Sequence, residues 1–223
     1  AFLRFAWQNW EPRPRFVVLV GDASWEDQGI ESSEFANYLP TYYYQSRLSY
    51  YASDNWFACL EGDDPYPDVA IGRIPVRTPE QARAYIDKVI EYDTRPAPGP
   101  WRDSVYLLSS YNMMSYRELD FMAERVFEDF NITRCFTTAQ QTKSEDIPTT
   151  VTDQFGLGHL VVVFAGHGGS FVWQVGGNPG GGQALDLFSP RHVEELQNRG
   201  KYPLVFALTC YTNDFDNPYF PQT

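Results

Sequence analysis

Short runs of consecutive apolar residues recur along this chain, and segments with helical spacing lie between them. The runs include FVVLV at 16–20, SVYLLSS at 104–110, LVVVF at 160–164 and PLVFAL at 203–208. Strands that are apolar on both faces are typical of parallel sheets covered by helices on both sides. The alternation therefore predicts an α/β fold with a mostly parallel sheet.

The pattern between these runs predicts the remaining elements and a division of the chain. Helices are expected at 2–10, from Thr78 to about Tyr92, at 116–130, from Ser144 and at 190–199. Further strands are expected at 68–76, as a buried strand, and at 132–137, with short strands in the aromatic segment 24–66. The proline-rich connector 96–100 predicts an N-terminal part, 1–95, and a second part, 101–223, that carries the candidate site.

Charge and composition exclude several partners. The net charge of -12 repels nucleic acid and anionic lipid surfaces. No stretch approaches the roughly twenty apolar residues of a membrane span. The three cysteines are too few and too scattered for a disulfide framework. A share of 17% aromatic residues fits binding of a peptide or a glycan, and the pattern predicts no particular oligomeric state.

Two strand ends carry the chemistry of this chain. His167 follows LVVVF within a glycine-rich turn, and Cys210 follows PLVFAL. If the two strands are parallel neighbours, an imidazole and a thiol meet at the carboxyl edge of one sheet, where open α/β proteins place their sites. His167 lies roughly 40 residues before Cys210, close to the spacing of about 50 found in caspases. The pair predicts a cysteine nucleophile with a histidine base.

The other cysteines and histidines are interpreted as structural. Cys59 and Cys135 have no histidine-glycine turn at a comparable strand end, and a free cysteine usually acts as a small buried hydrophobe. His159 precedes its strand, and His192 lies early in a helix. Neither histidine is placed for catalysis at a strand end.

The sequence resembles the gingipain-type cysteine peptidases of the caspase-like clan. FAGHGGSFVW around His167 is similar to the His-Gly block of that family, including Trp173, and LTCYTNDF around Cys210 is similar to its nucleophile block. The segments at 16–24 and 53–78 extend the resemblance over most of the chain. The resemblance implies a three-layer α/β/α sandwich with a caspase-like sheet.

The same resemblance implies a mechanism and a location. Cys210 attacks the peptide carbonyl to form a thioester acyl-enzyme, and His167 supplies acid-base catalysis. The backbone N–H groups of Gly168 and Cys210 form an oxyanion hole. Trp173 is expected to line the substrate cleft, although simple core packing is an equal alternative. The family implies an extracellular or bacterial cell-surface location.

The sequence departs from the family at three points. The strand at 104–110 exits into Ser110-Tyr111-Asn112-Met113, which lacks the carboxylate that orients the histidine in gingipains. Glu118 and Asp120 are only nearby candidates for the acid that reads a basic substrate residue, so arginine specificity is not predicted. The interval between His167 and Cys210 is longer than in gingipains, and GGNPGGG at 176–182 is expected to form a loop over the cleft. The chain is also expected to be truncated at its C-terminus relative to the family.

No cofactor is predicted, although a structural calcium is an alternative. Asp63, Asp64 and Asp68 are hard oxygen ligands, but their spacing lacks the EF-hand pattern and favours a solvated acidic loop. Asp22, at the end of a strand, is interpreted as a capping residue rather than a metal ligand.

Three functional classes remain at this point. A cysteine endopeptidase is favoured by the paired histidine and cysteine blocks. A sortase-like transpeptidase of a bacterial secretion system is the second class, because an acyl-enzyme can also be passed to an amine. A non-catalytic surface-binding module is the third, suggested by the missing carboxylate and the tyrosine-rich segment.

Overall fold

A computed structural model describes residues 1–25, 37–47, 50–110, 115–137, 146–175 and 185–217. These residues form two compact units. The first unit contains Ala1–Ile86 and the described residues from Asp214 onward, and the second unit contains Asp87–Asn213. The division of the chain at 95–101 stays a prediction.

The first unit contains two small sheets and short helices. Its elements in chain order are α1 (Phe2–Asn9), β1 (Phe16–Val20), β2 (Tyr42–Gln45), β3 (Tyr50–Ser53), α2 (Asn55–Ala58) and β4 (Ala70–Ile74), and α3 (Pro79–Thr94) begins in this unit. β1 pairs with β4 in parallel, and β2 pairs with β3 antiparallel. The helix and strand expected at 2–10 and 16–20 are present, and β2 and β3 are short strands of the aromatic segment.

The strand expected at 68–76 forms, but the prediction that it is buried is wrong. Every residue of β4 is half-buried or exposed, whereas the preceding Val69 is 4% exposed. The reason is that β4 pairs with one strand, β1, among the described residues and packs on the small core formed by Ala58, Leu60 and Val69. A two-stranded sheet has too little area to bury both faces of a strand.

The second unit is built on a four-stranded parallel sheet. Its elements are a 3₁₀ turn (Pro100–Asp103), β5 (Ser104–Ser109), α4 (Ser115–Arg125), β6 (Asn131–Phe136), α5 (Asp146–Leu157), β7 (Val161–Ala165), β8 (His167–Gly169), β9 (Val172–Val175), β10 (Leu185–Phe188), α6 (Pro190–Glu194) and β11 (Leu204–Leu208). The order of the parallel sheet is β11-β7-β5-β6, and β8, β9 and β10 form a separate antiparallel sheet.

Side chains of the parallel sheet alternate between two cores. Tyr106 and Leu108 of β5 pack in one core with Val151 and Phe155 of α5. Val105 and Leu107 pack in the other core with Leu119 and Ala123 of α4. The period of two along a strand sends neighbouring residues to opposite faces, so helices cover both sides of the sheet. The three-layer α/β/α prediction is confirmed.

Element ends and the glycine-rich turn differ from the sequence prediction. α4 ends at Arg125 and α6 at Glu194, both earlier than predicted. The residues after β7 form a hairpin, β8 and β9, where only a loop was predicted. Gly168 and Gly169 lack side chains, so a strand pattern could not be read from them.

The edge strand β11 exposes apolar side chains on both faces. Leu204 and Leu208 are each 57% exposed on one face, and Val205 is 42% exposed on the other. Edge strands usually carry charges or prolines that discourage pairing with other chains. β11 carries neither. Among the described helices, none has the length and apolar character to cross a bilayer.

Candidate active site

The two predicted strands are parallel neighbours. β11 pairs with β7 in a register that sets Leu204 opposite Val161 and Leu208 opposite Ala165. His167 and Cys210 each lie two residues beyond that last pair. The register therefore brings both residues to the carboxyl edge of the sheet at the same level, as the sequence predicted.

The backbone beyond the strand ends is in close contact. A Cβ atom added to Gly168 would overlap the hydroxyl of Thr209 and would lie 2.8 Å from the carbonyl oxygen of Cys210. Such a separation is shorter than real Cβ contacts. Only glycine allows the turn of His167 to approach the Cys210 segment this closely.

Both candidate catalytic side chains are accessible. His167 is exposed, and Cys210 is an exposed free thiol. The backbone N–H of His167 donates a hydrogen bond to Ser110 Oγ at 3.1 Å, and His167 pairs across the hairpin with Gln174. His167 is thus held through its main chain, and its side chain is exposed.

The residue after Cys210 has an unusual backbone conformation. Tyr211 has φ of 57°, the left-handed region that non-glycine residues rarely adopt. Such strained positions concentrate at functional sites because the surrounding structure must hold them. The strand β11 ends at Leu208, and Thr209, Cys210 and Tyr211 lie in the bend that follows it. Sequence patterns carry no signal for it, since tyrosine is not a residue that favours this region.

Trp173 lies across the hairpin from Gly168. Its ring stacks on Phe164 with a centroid distance of 4.4 Å and also lies 5.6 Å from the ring of Phe188. Trp173 is half-buried against one of the two sheet cores. The packing alternative considered for this residue is therefore realised, and a substrate contact stays a prediction.

The other cysteines make structural contacts. Cys59 is half-buried, and its thiol donates to the carbonyl oxygen of Asn55 at 3.4 Å. Cys135 is half-buried beside Tyr106, and burial raises the pKa of its thiol. A raised thiol pKa disfavours the reactive thiolate. Both cysteines therefore fit the structural interpretation.

The other histidines are buried and hydrogen-bonded. His159 lies between Ser104 Oγ at 2.7 Å and the carbonyl oxygen of Gln154 at 3.0 Å, and burial lowers its pKa. The ring of His192 is hydrogen-bonded to the Ser189 backbone N–H at the start of α6. Neither histidine is at the edge of the sheet where His167 and Cys210 lie.

The predicted departures from the family concern carboxylates and loops. Tyr111, Asn112, Met113 and the glycine-rich segment 176–182 lie outside the described residues. Asp120 Oδ1 accepts an ion-pair hydrogen bond from Arg134 Nε at 2.9 Å on the surface, and Glu118 is exposed on α4. The carboxylate of Asp120 is thus already paired within the chain.

The acidic loop uses its carboxylates for its own backbone. Asp68 accepts hydrogen bonds from the N–H groups of Leu60 and Glu61, which lower the pKa of its carboxyl. Asp64 accepts from the N–H of Tyr66 at 3.0 Å. Within the described ranges, no three His, Cys, Asp or Glu side chains are grouped to hold a metal ion.

Buried ion pairs organise the first unit, and no sequence pattern indicated them. Asp22 pairs with Arg77, and both side chains are 8% exposed. Asp54 pairs with Arg73, which also donates to the carbonyl oxygens of Gly21 and Leu39. Asp22 is therefore an ion-pair partner, and its interpretation as a simple cap was incomplete.

The segment that follows the candidate nucleophile is part of this network. Phe215 lies beneath the guanidinium of Arg73 at 4.9 Å, and the carbonyl oxygen of Asp216 accepts from the Trp25 N–H. Burial raises the pKa of Asp216, and the carboxyl groups of Asp214 and Asp22 raise it further. Phe215 and Asp216 thus anchor this segment in the first unit.

Comparison with known proteins identifies the family of this chain. The chain matches peptidase family C25 over residues 1–223. It is 24% identical over 168 residues to gingipain R2 of Porphyromonas gingivalis, which covers 73% of this chain and 22% of that protein. Gingipain R1 of the same species is also 24% identical over 168 residues, covering 16% of its length. The chain spans about a fifth of these relatives.

Solved structures show the same fold. The crystal structure of the arginine-specific cysteine proteinase gingipain R (RgpB) superposes with a TM-score of 0.71 at 21% identity, covering 96% of this chain and 44% of that one. A complex of the Porphyromonas gingivalis RgpB pro- and mature domains superposes with a TM-score of 0.68 at 20% identity. It covers 96% of this chain and 45% of that one.

Proposed function

Because the chain belongs to peptidase family C25, we propose that it is the catalytic region of a cysteine peptidase that cleaves peptide bonds through Cys210 and His167. The observation that supports this proposal most directly is the contact between the Gly168 and Cys210 segments beyond two neighbouring parallel strands. It brings an exposed thiol and an exposed imidazole to one edge of the sheet.

In the proposed reaction, Cys210 Sγ attacks the carbonyl carbon of the scissile bond. The thiol proton passes to His167, and the carbonyl electrons move onto oxygen. Collapse of the tetrahedral intermediate forms a thioester and expels the amine, which takes its proton from His167. Water then attacks the thioester with His167 as the base, and this step releases the acid and restores the thiol. Acid-base catalysis of this kind contributes about 10²- to 10⁴-fold.

The oxyanion requires hydrogen-bond donors at the same edge. We assign this role to the backbone N–H groups of Gly168 and Cys210, which belong to the two segments in contact. A single such donor stabilises the transition state by about 3 kcal/mol. Because the donors are backbone groups, their effect depends on the spacing of the two segments. A Trp173 contact with the substrate, on the strand opposite Gly168, belongs to the same proposal.

The proposed substrates are proteins or peptides, with no assigned preference for the residue before the cleaved bond. The arginine specificity of one relative is not assigned to this chain, because Glu118 and Asp120 are only nearby carboxylates and Asp120 pairs with Arg134. The proposed location is extracellular or on the bacterial surface, by analogy with the family. The proposed domain needs no cofactor for the steps above.

The proposal is tested on the full-length protein with a peptide library and a thiol-directed acylating probe. We expect cleavage and labelling at Cys210, both lost in Cys210→Ala. Cys59→Ala is the matched control. It removes a second free thiol, which is half-buried where Cys210 is exposed, and it is expected to leave both signals unchanged. Labelling spread equally over the cysteines, without cleavage, would contradict the proposal.

Product masses distinguish hydrolysis from transfer. A peptidase gives products with a free carboxylate whether or not an amine is added. A transpeptidase gives amide products when an amine is present, because the amine takes the acyl group from the thioester. Amide products as the main species would replace the hydrolase assignment with transpeptidation.

A further inference from the structure

Ser110 lies where the parallel sheet meets the candidate histidine. It directly follows β5, it is 2% exposed, and its N–H donates to the carbonyl oxygen of Ala165, the last residue of β7. Beyond β7, the next N–H that points toward β5 belongs to His167. It donates to a side-chain oxygen, Ser110 Oγ, at 3.1 Å.

The Ser110 hydroxyl therefore extends the sheet by one hydrogen bond beyond the backbone ladder. On the opposite side of the same turn, the N–H of Gly166 donates to the carbonyl oxygen of Leu208 in β11 at 3.3 Å. The segment Gly166–His167 is thus held from β11 through the Gly166 N–H and from β5 through the Ser110 side chain. Two hydrogen bonds on opposite sides fix its position across the sheet.

The sequence of the turn fits this arrangement. A Cβ atom on Gly166 would lie 2.5 Å from Ser110 Oγ and 2.6 Å from the ring of Phe164. Glycine at this position leaves the space that the buried hydroxyl occupies. The pair of Gly166 and Ser110 is therefore a matched contact, in which the small residue lets the hydroxyl reach the His167 N–H.

We propose that Ser110 is a positioning residue that sets the place of His167 relative to Cys210. This inference rests on the proposed peptidase function. Its physical basis is that the imidazole is exposed, so its location is determined by its own backbone, and that backbone is held on the β5 side by Ser110. A small displacement of a catalytic group reduces the rate of the chemical step far more than it reduces substrate binding.

The test compares Ser110→Ala with Ser109→Ala in the full-length protein. Ser109 is also 2% exposed and lies at the same strand end, so its substitution controls for loss of a buried hydroxyl. We expect Ser110→Ala to lower kcat about tenfold with little change in KM, and Ser109→Ala to lower it less than twofold. Ser110→Thr, which keeps the acceptor oxygen, is expected to restore most of kcat.

A second readout does not depend on activity. Hydrogen exchange of the His167 amide, followed by NMR with ¹⁵N-histidine and assigned with His167→Gln, is expected to become about tenfold faster in Ser110→Ala. Ser109→Ala is expected to leave it unchanged. Chemical denaturation of each variant shows whether it remains folded.

The outcomes separate the two proposals. Faster exchange of the His167 amide with a lowered kcat supports the positioning role. Unchanged kcat despite faster exchange overturns it and leaves Ser110 as a residue of the sheet edge only. If the wild-type protein neither cleaves peptides nor labels at Cys210, the peptidase proposal fails by itself. In that case the exchange measurement alone tests the positioning role of Ser110. Unchanged exchange of the His167 amide in Ser110→Ala overturns that role, and faster exchange with a shifted His167 imidazole resonance supports it.

Discussion

Replacement of Gly168 by alanine is the sharpest perturbation that the site allows. The added Cβ would overlap the Thr209 hydroxyl, lie 2.8 Å from the carbonyl oxygen of Cys210 and lie 3.2 Å from Thr212 Cγ2. Ordinary contacts begin at 3.4 Å, so the Cβ atom and the Cys210 carbonyl oxygen must separate by about 0.6 Å. A displacement of about 1 Å in an active site costs about 10²-fold in rate. We expect kcat/KM to fall between tenfold and a hundredfold.

The same overlap has a thermodynamic effect. Extra atoms in a closely packed site cost about 1–3 kcal/mol, so the free energy of unfolding should fall within that range. Gly169→Ala is the matched control, because its nearest neighbour is Val172 Cγ1 at 3.7 Å, an ordinary contact. It lies one residue further along the same hairpin and is expected to change neither activity nor stability appreciably.

Three measurements test these effects of Gly168→Ala: peptide cleavage, the rate at which Cys210 takes up a thiol probe, and denaturant unfolding. Thr209→Ala combined with Gly168→Ala removes the overlap with the hydroxyl but keeps the contact with the Cys210 carbonyl, so we expect only partial recovery. If Gly168→Ala has the activity and stability of Gly169→Ala, the two segments are not held in the close contact from which the site was argued.

Three further predictions test the surroundings of the site. Arg77→Met leaves buried Asp22 unpaired and should lower the free energy of unfolding by about 3–5 kcal/mol. Arg134→Met breaks an exposed ion pair and should lower it by less than about 1 kcal/mol. Equal effects of the two variants in denaturant titrations would contradict the buried network. Burial lowers the pKa of His159, so the folded state binds fewer protons than the unfolded state, and stability should be lost as pH falls below about 6.5. His159→Gln should flatten this dependence, and an unchanged slope in unfolding curves between pH 7 and 5 would refute the assignment. The exposed apolar side chains of the edge strand β11 predict that this chain self-associates at high concentration, and lysine at both Leu204 and Phe206 should shift its size-exclusion elution toward the monomer. An elution profile that the two lysines leave unaltered would exclude β11 as an association surface.

The ends of the parallel strands were the most predictable part of this protein. His167 and Cys210 follow apolar runs that are long enough to be buried strands, and glycines flank the histidine. These local signals, together with the resemblance to the family, were sufficient to place both residues at one edge of a sheet. The strand register confirms that their levels match.

Contacts between distant segments were not predictable in the same way. Ser110 is one of several serines near strand ends, and nothing in its neighbours marks it as the acceptor for the His167 N–H. Arg73 and Arg77 have no feature in the sequence that distinguishes them from surface charges. In the structure they form buried ion pairs with Asp54 and Asp22. Such partners lie 19 and 55 residues away, beyond the reach of any local pattern.

Burial was predicted well only for strands in the interior of the four-stranded sheet. The interior strand β5 is buried, whereas β11 at the edge of the same sheet is exposed, and β4 in the two-stranded sheet is half-buried or exposed. Composition tells which strands are able to be buried on both faces. The number of neighbouring strands and the helices that cover them decide whether they are.

The sequence by itself determined the α/β class and the two residue types that meet at the sheet edge, because periodicity and strand-end residues are local properties. Tertiary structure alone decided how closely they meet. The contact of Gly168 with the Cys210 segment, the left-handed turn at Tyr211 and the hydrogen bond from His167 to Ser110 all depend on strand register. Register is fixed by side-chain packing across the whole sheet, so no single segment of the chain encodes it.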